Sequence, residues 1–520
     1  MNTSNPVYST LSELVLSDQI YKDKAEMLFK FISFMEDYNS LGSPGIFVMT
    51  RPRGFGLSLI TQAITNLIKE NVESNSAINI KSTNHVLYKL GSKSKFLNKD
   101  HEQTTEKIAS ELLEDENKNV TIEKLESIAS KSIFEPSIED AFDNFNVSKD
   151  NIKEKANKSK IESLSINEEI EAIKSFYNIC AHPIINIDFK RLNAKNAKEF
   201  SNSLIDIIQE LFWLNHIESH VDLYQTPKVF FKKLISEFSK KYSNKQIVIL
   251  IDNYDVPFLT AANFDDDQAQ EAICDYLDML NVLKYSNHTV KWCLLSGHIK
   301  FKLASEISEG LPLVNDLSCH SLFSNLFGLT RDDVADIYHN EIDKYSFNFH
   351  MTPSQYLDAL EDCYGGFVFG ENDPLKYENP EKMICPACIA HCMTNNGQLL
   401  PYSASGRYVF LKDVLTSRQA DLDWLYGKDG QDPLFADSID ISVIGKQLGT
   451  LLIHLGFASI AKVNINKTDF YTTWRYRFEF PNLDMKKTFE YLTNNASIDD
   501  LTKTLITINN PDNNNPQENS

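Results

Sequence analysis

Gly54, Gly56 and Ser58 follow a short apolar run, Gly45 to Thr50, and precede a stretch with helical periodicity. A strand, a glycine loop and a helix in that order can hold phosphate: loop N–H groups wrap the oxygens, and the helix start adds its positive dipole end. In the full pattern a lysine beside the last glycine meets the terminal phosphates, and the next hydroxyl binds Mg²⁺. Here Ser58 supplies the hydroxyl, but Leu57 stands at the lysine position and Arg51 at the loop's first glycine position. A second apolar run, Gln246 to Ile251, leads to Asp252, where a carboxylate would hold Mg²⁺. The neighbouring position, often a glutamate that activates water, is Asn253. An amide cannot take a proton near neutral pH. Asp255 follows, either as an outer carboxylate or as a helix cap.

These substitutions act on different steps. A charge-assisted contact such as the missing lysine's contributes about 1.5–3 kcal/mol, so its loss weakens nucleotide binding roughly ten- to a hundredfold. A positioned base contributes about 10²–10⁴ in rate. Hydrolysis is therefore expected to be absent or negligible, with ATP or ADP and Mg²⁺ as the cofactors the remaining loop, Ser58 and Asp252 would accept. Arg51 and Arg53 have two readings of equal weight: replacement positive charge for the phosphates, or structural and partner-facing groups. Cys385, Cys388, His391 and Cys392 include a Cys-x-x-Cys half-site for zinc. No second half exists, and the cysteines fall on one helix face, where small apolar side chains also explain them. The acidic run Asp265, Asp266, Asp267 and Glu271 reads as a solvated helix start.

The loop Arg51-Pro52-Arg53, Phe55-Gly56 and Ser58 resembles the Arg-Pro-Arg-Arg-Phe-Gly-Lys-Ser signature of the AAA-ATPase-like family. Tyr21 to Lys24, Pro183 to Lys190 and Leu250 to Pro257 resemble its entry segment, its Pro-Val-Ile strand and its Leu-Ile-Asp-Glu-Tyr-Asp strand. Ser296-Gly297 is similar to its sensor-like strand end. Phe327 to Thr330, Tyr364 to Phe369, Asn379-Pro380, Leu455 to Phe457 and Phe480 to Asn482 match later landmarks in order. The resemblance spans roughly residues 15–490. It implies a P-loop ATPase-like chain of bacterial type, often fused to a C-terminal nuclease. Too few residues follow the last landmark for that nuclease. The departures are Gly54, Leu57 and Asn253, where the family has arginine, lysine and glutamate.

The site needs strands to carry its loop and acids. Apolar runs separated by helical stretches predict an α/β fold: a P-loop NTPase-like, mostly parallel sheet with helices on both faces, plus a mainly helical second domain. We expect a flexible segment at 1–14, the P-loop domain at 15–335 with a charged helical insertion at about 93–175, the helical domain at 336–492 and a disordered tail at 493–520. Leu28, Phe31, Ile32 and Met35 form one stripe of an early helix. With 42% hydrophobic residues the 520-residue chain can build a large core. Its net charge of −21 disfavours nucleic acid. No apolar stretch reaches the length of a membrane span. The polar start argues against a Sec-type leader, and eight scattered cysteines fit a reducing compartment. The resulting expectation is a cytoplasmic pseudo-ATPase that binds or scaffolds a protein partner. The alternatives are a slow NTPase or switch using Arg51 or Arg53, a nucleic-acid-associated protein by family analogy, and an exported effector.

Overall fold

A computed structural model describes residues 24–38, 44–72, 182–218, 226–304, 308–311, 314–369, 381–403, 411, 425, 439, 448–467 and 472–494. The charged insertion, the extreme N-terminus and nearly all of the tail lie outside these residues.

The described residues form a five-stranded parallel sheet of β1 (Gly45–Thr50), β2 (Ile184–Asp188), β3 (Ile247–Asp252), β4 (Val290–Gly297) and β5 (Asn315–Asp316), in the order β2-β3-β4-β1-β5. All six residues of β1 and of β3 are buried, so both faces of the sheet's middle are covered. That is why these strands read as continuous apolar runs rather than as alternation. α1 (Ala25–Tyr38) packs on β1 and β4, and α2 (Leu57–Val72) packs across β2, β3 and β4. Three further helices, α3 (Ala197–Leu214), α4 (Pro227–Lys241) and α6 (Asp266–Asn281), pack on one another, with α3 touching β2 and α4 touching β3. The short α5 (Val256–Ala261) follows β3. β4 lies between β1 and β3, so the ends of all three strands meet at one edge. In open α/β sheets the ligand crevice lies at these carboxyl ends.

Away from that edge, the apolar stripe of α1 is buried as predicted, and its last turn carries a charge into the core. Glu36 accepts from Trp292 Nε1 at 2.8 Å, with Lys291 Nζ at 3.1 Å and His182 Nε2 at 3.4 Å. Burial pushes the Glu36 carboxyl up, but His182 and then Lys291 outweigh it and hold the pKa below its ordinary value. A depressed acid contributes stability above its unfolded pKa and loses it as pH falls through the folded one. Glu36→Gln is therefore expected to lower urea stability by about 1–3 kcal/mol at pH 7. The gap to the wild type should close as the pH is taken below the ordinary glutamate range.

The C-terminal region holds α7 (Arg331–Ile337), α8 (His339–Asn348), α9 (Pro353–Tyr364), α10 (Pro386–Thr394), α11 (Leu448–His454) and α12 (Leu483–Asn494). Capping boxes start α7 (Thr330 with Asp333) and α9 (Thr352 with Gln355). The region is less purely helical than its sequence suggests. It also holds an antiparallel hairpin, β6 (Ser459–Lys467) with β7 (Thr472–Glu479).

Candidate functional site

The loop after β1 has the predicted backbone. Arg51 N donates to Gly297 O at the tip of β4, which fixes the loop's start. Gly54 and Gly56 have φ of 93° and 83°, a region glycine enters at no steric cost. The loop then runs directly into α2, whose first residue is Leu57. Among the described residues, no acceptor meets the N–H groups from Arg53 to Ser58.

At the tip of β3, Asp252 is buried and gathers two donors. Ser296 Oγ donates to its Oδ1 at 2.8 Å and Asn253 N–H donates to the same oxygen at 3.0 Å, while Ser58 lies close enough to lower its pKa. The predicted loop serine, strand-tip acid and sensor-like serine therefore meet. Burial pushes the Asp252 carboxyl above its ordinary range; Ser58 and Ser296 oppose this, and nearby Asp188 adds to the rise. Such a setting favours a bound cation.

Asp188 escaped the sequence reading. It ends β2 opposite Asp252 in the parallel register, and its Oδ1 accepts Asn253 Nδ2 at 2.8 Å and Lys190 N–H at 2.8 Å. The available signal was that two neighbouring strands both end in aspartate. Asn253 sits at φ 55°, which asparagine tolerates better than most residues. Its amide is committed to Asp188.

Asp255 resolves its two readings in a third way. It stands at the start of α5 but makes no side-chain cap bond there. Instead its Oδ2 accepts the N–H groups of His298 and Ile299, each at 3.0 Å, tying the β3 tip to the segment after β4. A side chain at Gly297 would lie 2.6 Å from Asp255 Oδ1, so glycine is needed for this tie.

Arg51 departs from the phosphate-binding reading. Arg51 is 1% exposed. Its guanidinium lies 4.3 Å from the Phe369 ring centre and 5.1 Å from that of Phe327. Nη1 donates to the carbonyls of Thr50 and Ser318, and Nη2 to that of Phe323. These contacts use the guanidinium inside the protein, so it does not replace the lysine. Burial pushes its pKa down to about 10, which leaves it charged at neutral pH. Arg53 lines a narrow crevice with Tyr364, Cys388, Asn482 and Asp484, on the C-terminal side of the loop. Leu57 is 5% exposed and belongs to the apolar core.

The zinc candidates also serve packing. Cys388 Sγ contacts Asp484 at 3.8 Å, Cys392 Sγ lies 3.6 Å from Tyr356 Oη, and the His391 ring rests on Tyr402. Among the described residues no group of three or more His, Cys, Asp or Glu side chains could hold a metal ion. In the acidic run, Asp265 caps α6 by accepting from Gln268 N–H at 3.0 Å.

The strand order, the glycine loop running into α2 and the acid at the tip of β3 define a P-loop-like α/β architecture. A family model described as AAA-ATPase-like, predicted AAA-ATPase, matches residues 131–306 and supports an AAA-ATPase-like family for the chain. That stretch contains β2, β3 and β4 and ends before the C-terminal region; the loop at 51–58 precedes it. Searches of curated proteins and of solved structures found no match. No helix among the described residues is long and apolar enough to cross a membrane.

Proposed function

We propose that this chain is an AAA-ATPase-like module that binds or scaffolds a protein partner and does not turn over nucleotide. The observation that carries the reading is the apolar residue at the place where a P-loop carries its lysine. Leu57 occupies the lysine position within the core, and Arg51 is held between two phenylalanine rings. Asn253 replaces the base, and its amide is spent on Asp188.

The residues fit the two halves of a magnesium nucleotide unequally. Ser58 and Asp252, which stand near each other at the loop and the β3 tip, would supply a hydroxyl and a carboxylate oxygen to one Mg²⁺ ion. The phosphate side keeps backbone N–H groups, but its lysine position holds the buried Leu57. Residual binding without turnover follows from this inequality. The switch reading required an arginine at the phosphates, and the position of Arg51 counts against it. Incubating the full chain with MgATP should release no phosphate above the buffer control; release that depends on Asp252 would defeat the proposal.

A further inference from the structure

The segments that align with family landmarks do more than mark a resemblance: they converge on one loop. Phe55 packs edge-on against Phe367 and Phe369, with ring centres 4.9 and 5.1 Å away. Gly328 lies beneath Phe55, where an added Cβ would come within 3.1 Å of the ring. Pro52 lies against Gly456, whose Cβ would meet it at 2.9 Å. Ala387 N–H donates to Gly54 O at 3.3 Å, and a Cβ on Gly54 would lie 2.8 Å from Cys385 Sγ. Around this contact the chain closes on itself. Ile384 and Leu329 exchange both backbone bonds, as do Phe367 and Met383, and Asn482 Nδ2 donates to Gly365 O at 2.7 Å.

We propose that the Arg51–Phe55 loop is an intrachain docking site that latches the C-terminal region, through Phe367, Phe369, Ala387 and Gly456, onto the carboxyl end of the sheet. Its side chains face that region, while its N–H groups from Arg53 onward make no bond to any described residue. Side-chain docking and backbone exposure are thus separate properties of one loop. The arginine and the phenylalanine act in the first, whether or not the second is ever used. This inference does not depend on the fate of nucleotide.

Hydrogen exchange followed by mass spectrometry on the full chain tests it. In Phe55→Ala, amides of α10 and the first turn of α12 should exchange at least about tenfold faster, while those of β3 and β4 keep their protection. Ala387→Leu, which crowds the same contact from the other side and leaves the loop sequence untouched, should give the same pattern. Ser58→Ala, at an exposed side chain in the first turn of α2, should leave α10 unchanged. Unchanged α10 exchange in Phe55→Ala or Ala387→Leu would overturn the proposal. So would acceleration spreading equally into β3 and β4, since the loop would then be ordinary core.

Discussion

Asn253→Glu restores no ATP turnover and lowers stability by about 1–3 kcal/mol, through backbone strain and charge repulsion together. The position has φ 55°, where a glutamate loses the tolerance that asparagine has. The larger effect is electrostatic. Asn253 Nδ2 donates to Asp188 Oδ1 at 2.8 Å, and Asp252 lies on the adjacent strand at the same register. A glutamate would remove that donor and place a third carboxylate beside two others, one of them already raised by burial. Urea unfolding at pH 7 should show the loss, and phosphate release should stay at background. Adding Asp188→Asn should recover most of the stability, because it removes the facing charge. An Asn253→Glu variant as stable as the wild type would show that Asp188 does not govern this position. The position is thus more than a base deleted by one substitution, since its surroundings now require an amide.

Arg51→Met should cost more, about 3–5 kcal/mol. The guanidinium serves the carbonyls of Thr50, Ser318 and Phe323 inside the protein and fills the space between Phe327 and Phe369. Methionine fills part of that space but donates nothing, leaving buried carbonyls short of a partner at about 1–3 kcal/mol each. Lysine keeps the charge yet lacks the flat fork that reaches two carbonyl directions between rings, so Arg51→Lys should recover less than half of the loss. The midpoint of urea unfolding checks both variants. A cost below about 1 kcal/mol for Arg51→Met would mean that the arginine is a surface-type group despite its burial.

The sequence made the frame of the site legible where one local pattern was enough. β1 and β3 are continuous apolar runs because both faces are covered, and the runs Gly45 to Thr50 and Gln246 to Ile251 match them to within one residue. Leu57 and Asn253 could be read directly as departures, since a motif fixes which residue stands at each place. A motif does not fix where a long side chain points. Arg51 turns inward because Ser318, Phe323 and Phe369, far along the chain, offer it carbonyls and a ring. Asp188 was invisible for a related reason. Its importance comes from strand pairing across 65 residues of separation from Asn253. β6 is not part of the expected helical domain, although Lys462, Val463, Asn464, Ile465 and Asn466 alternate polar and apolar residues as a strand does. Cys388 and Cys392 lie on the buried face of α10 and Cys385 stands just before it, but their place beside the loop depends on contacts to Gly54 and Asp484 that spacing does not reveal.

The central claim is that the site no longer splits nucleotide, and a single-turnover assay tests it most directly. Full-length protein in excess over γ-labelled ATP with Mg²⁺ is sampled over hours, alongside Asp252→Asn as the control that removes the carboxylate at the β3 tip. The account predicts that wild type and Asp252→Asn release phosphate at the same background rate. Release by the wild type that exceeds the Asp252→Asn rate would contradict it, and would mean that the Ser58, Asp252 and Asp188 end of the sheet still catalyses without a lysine or a glutamate.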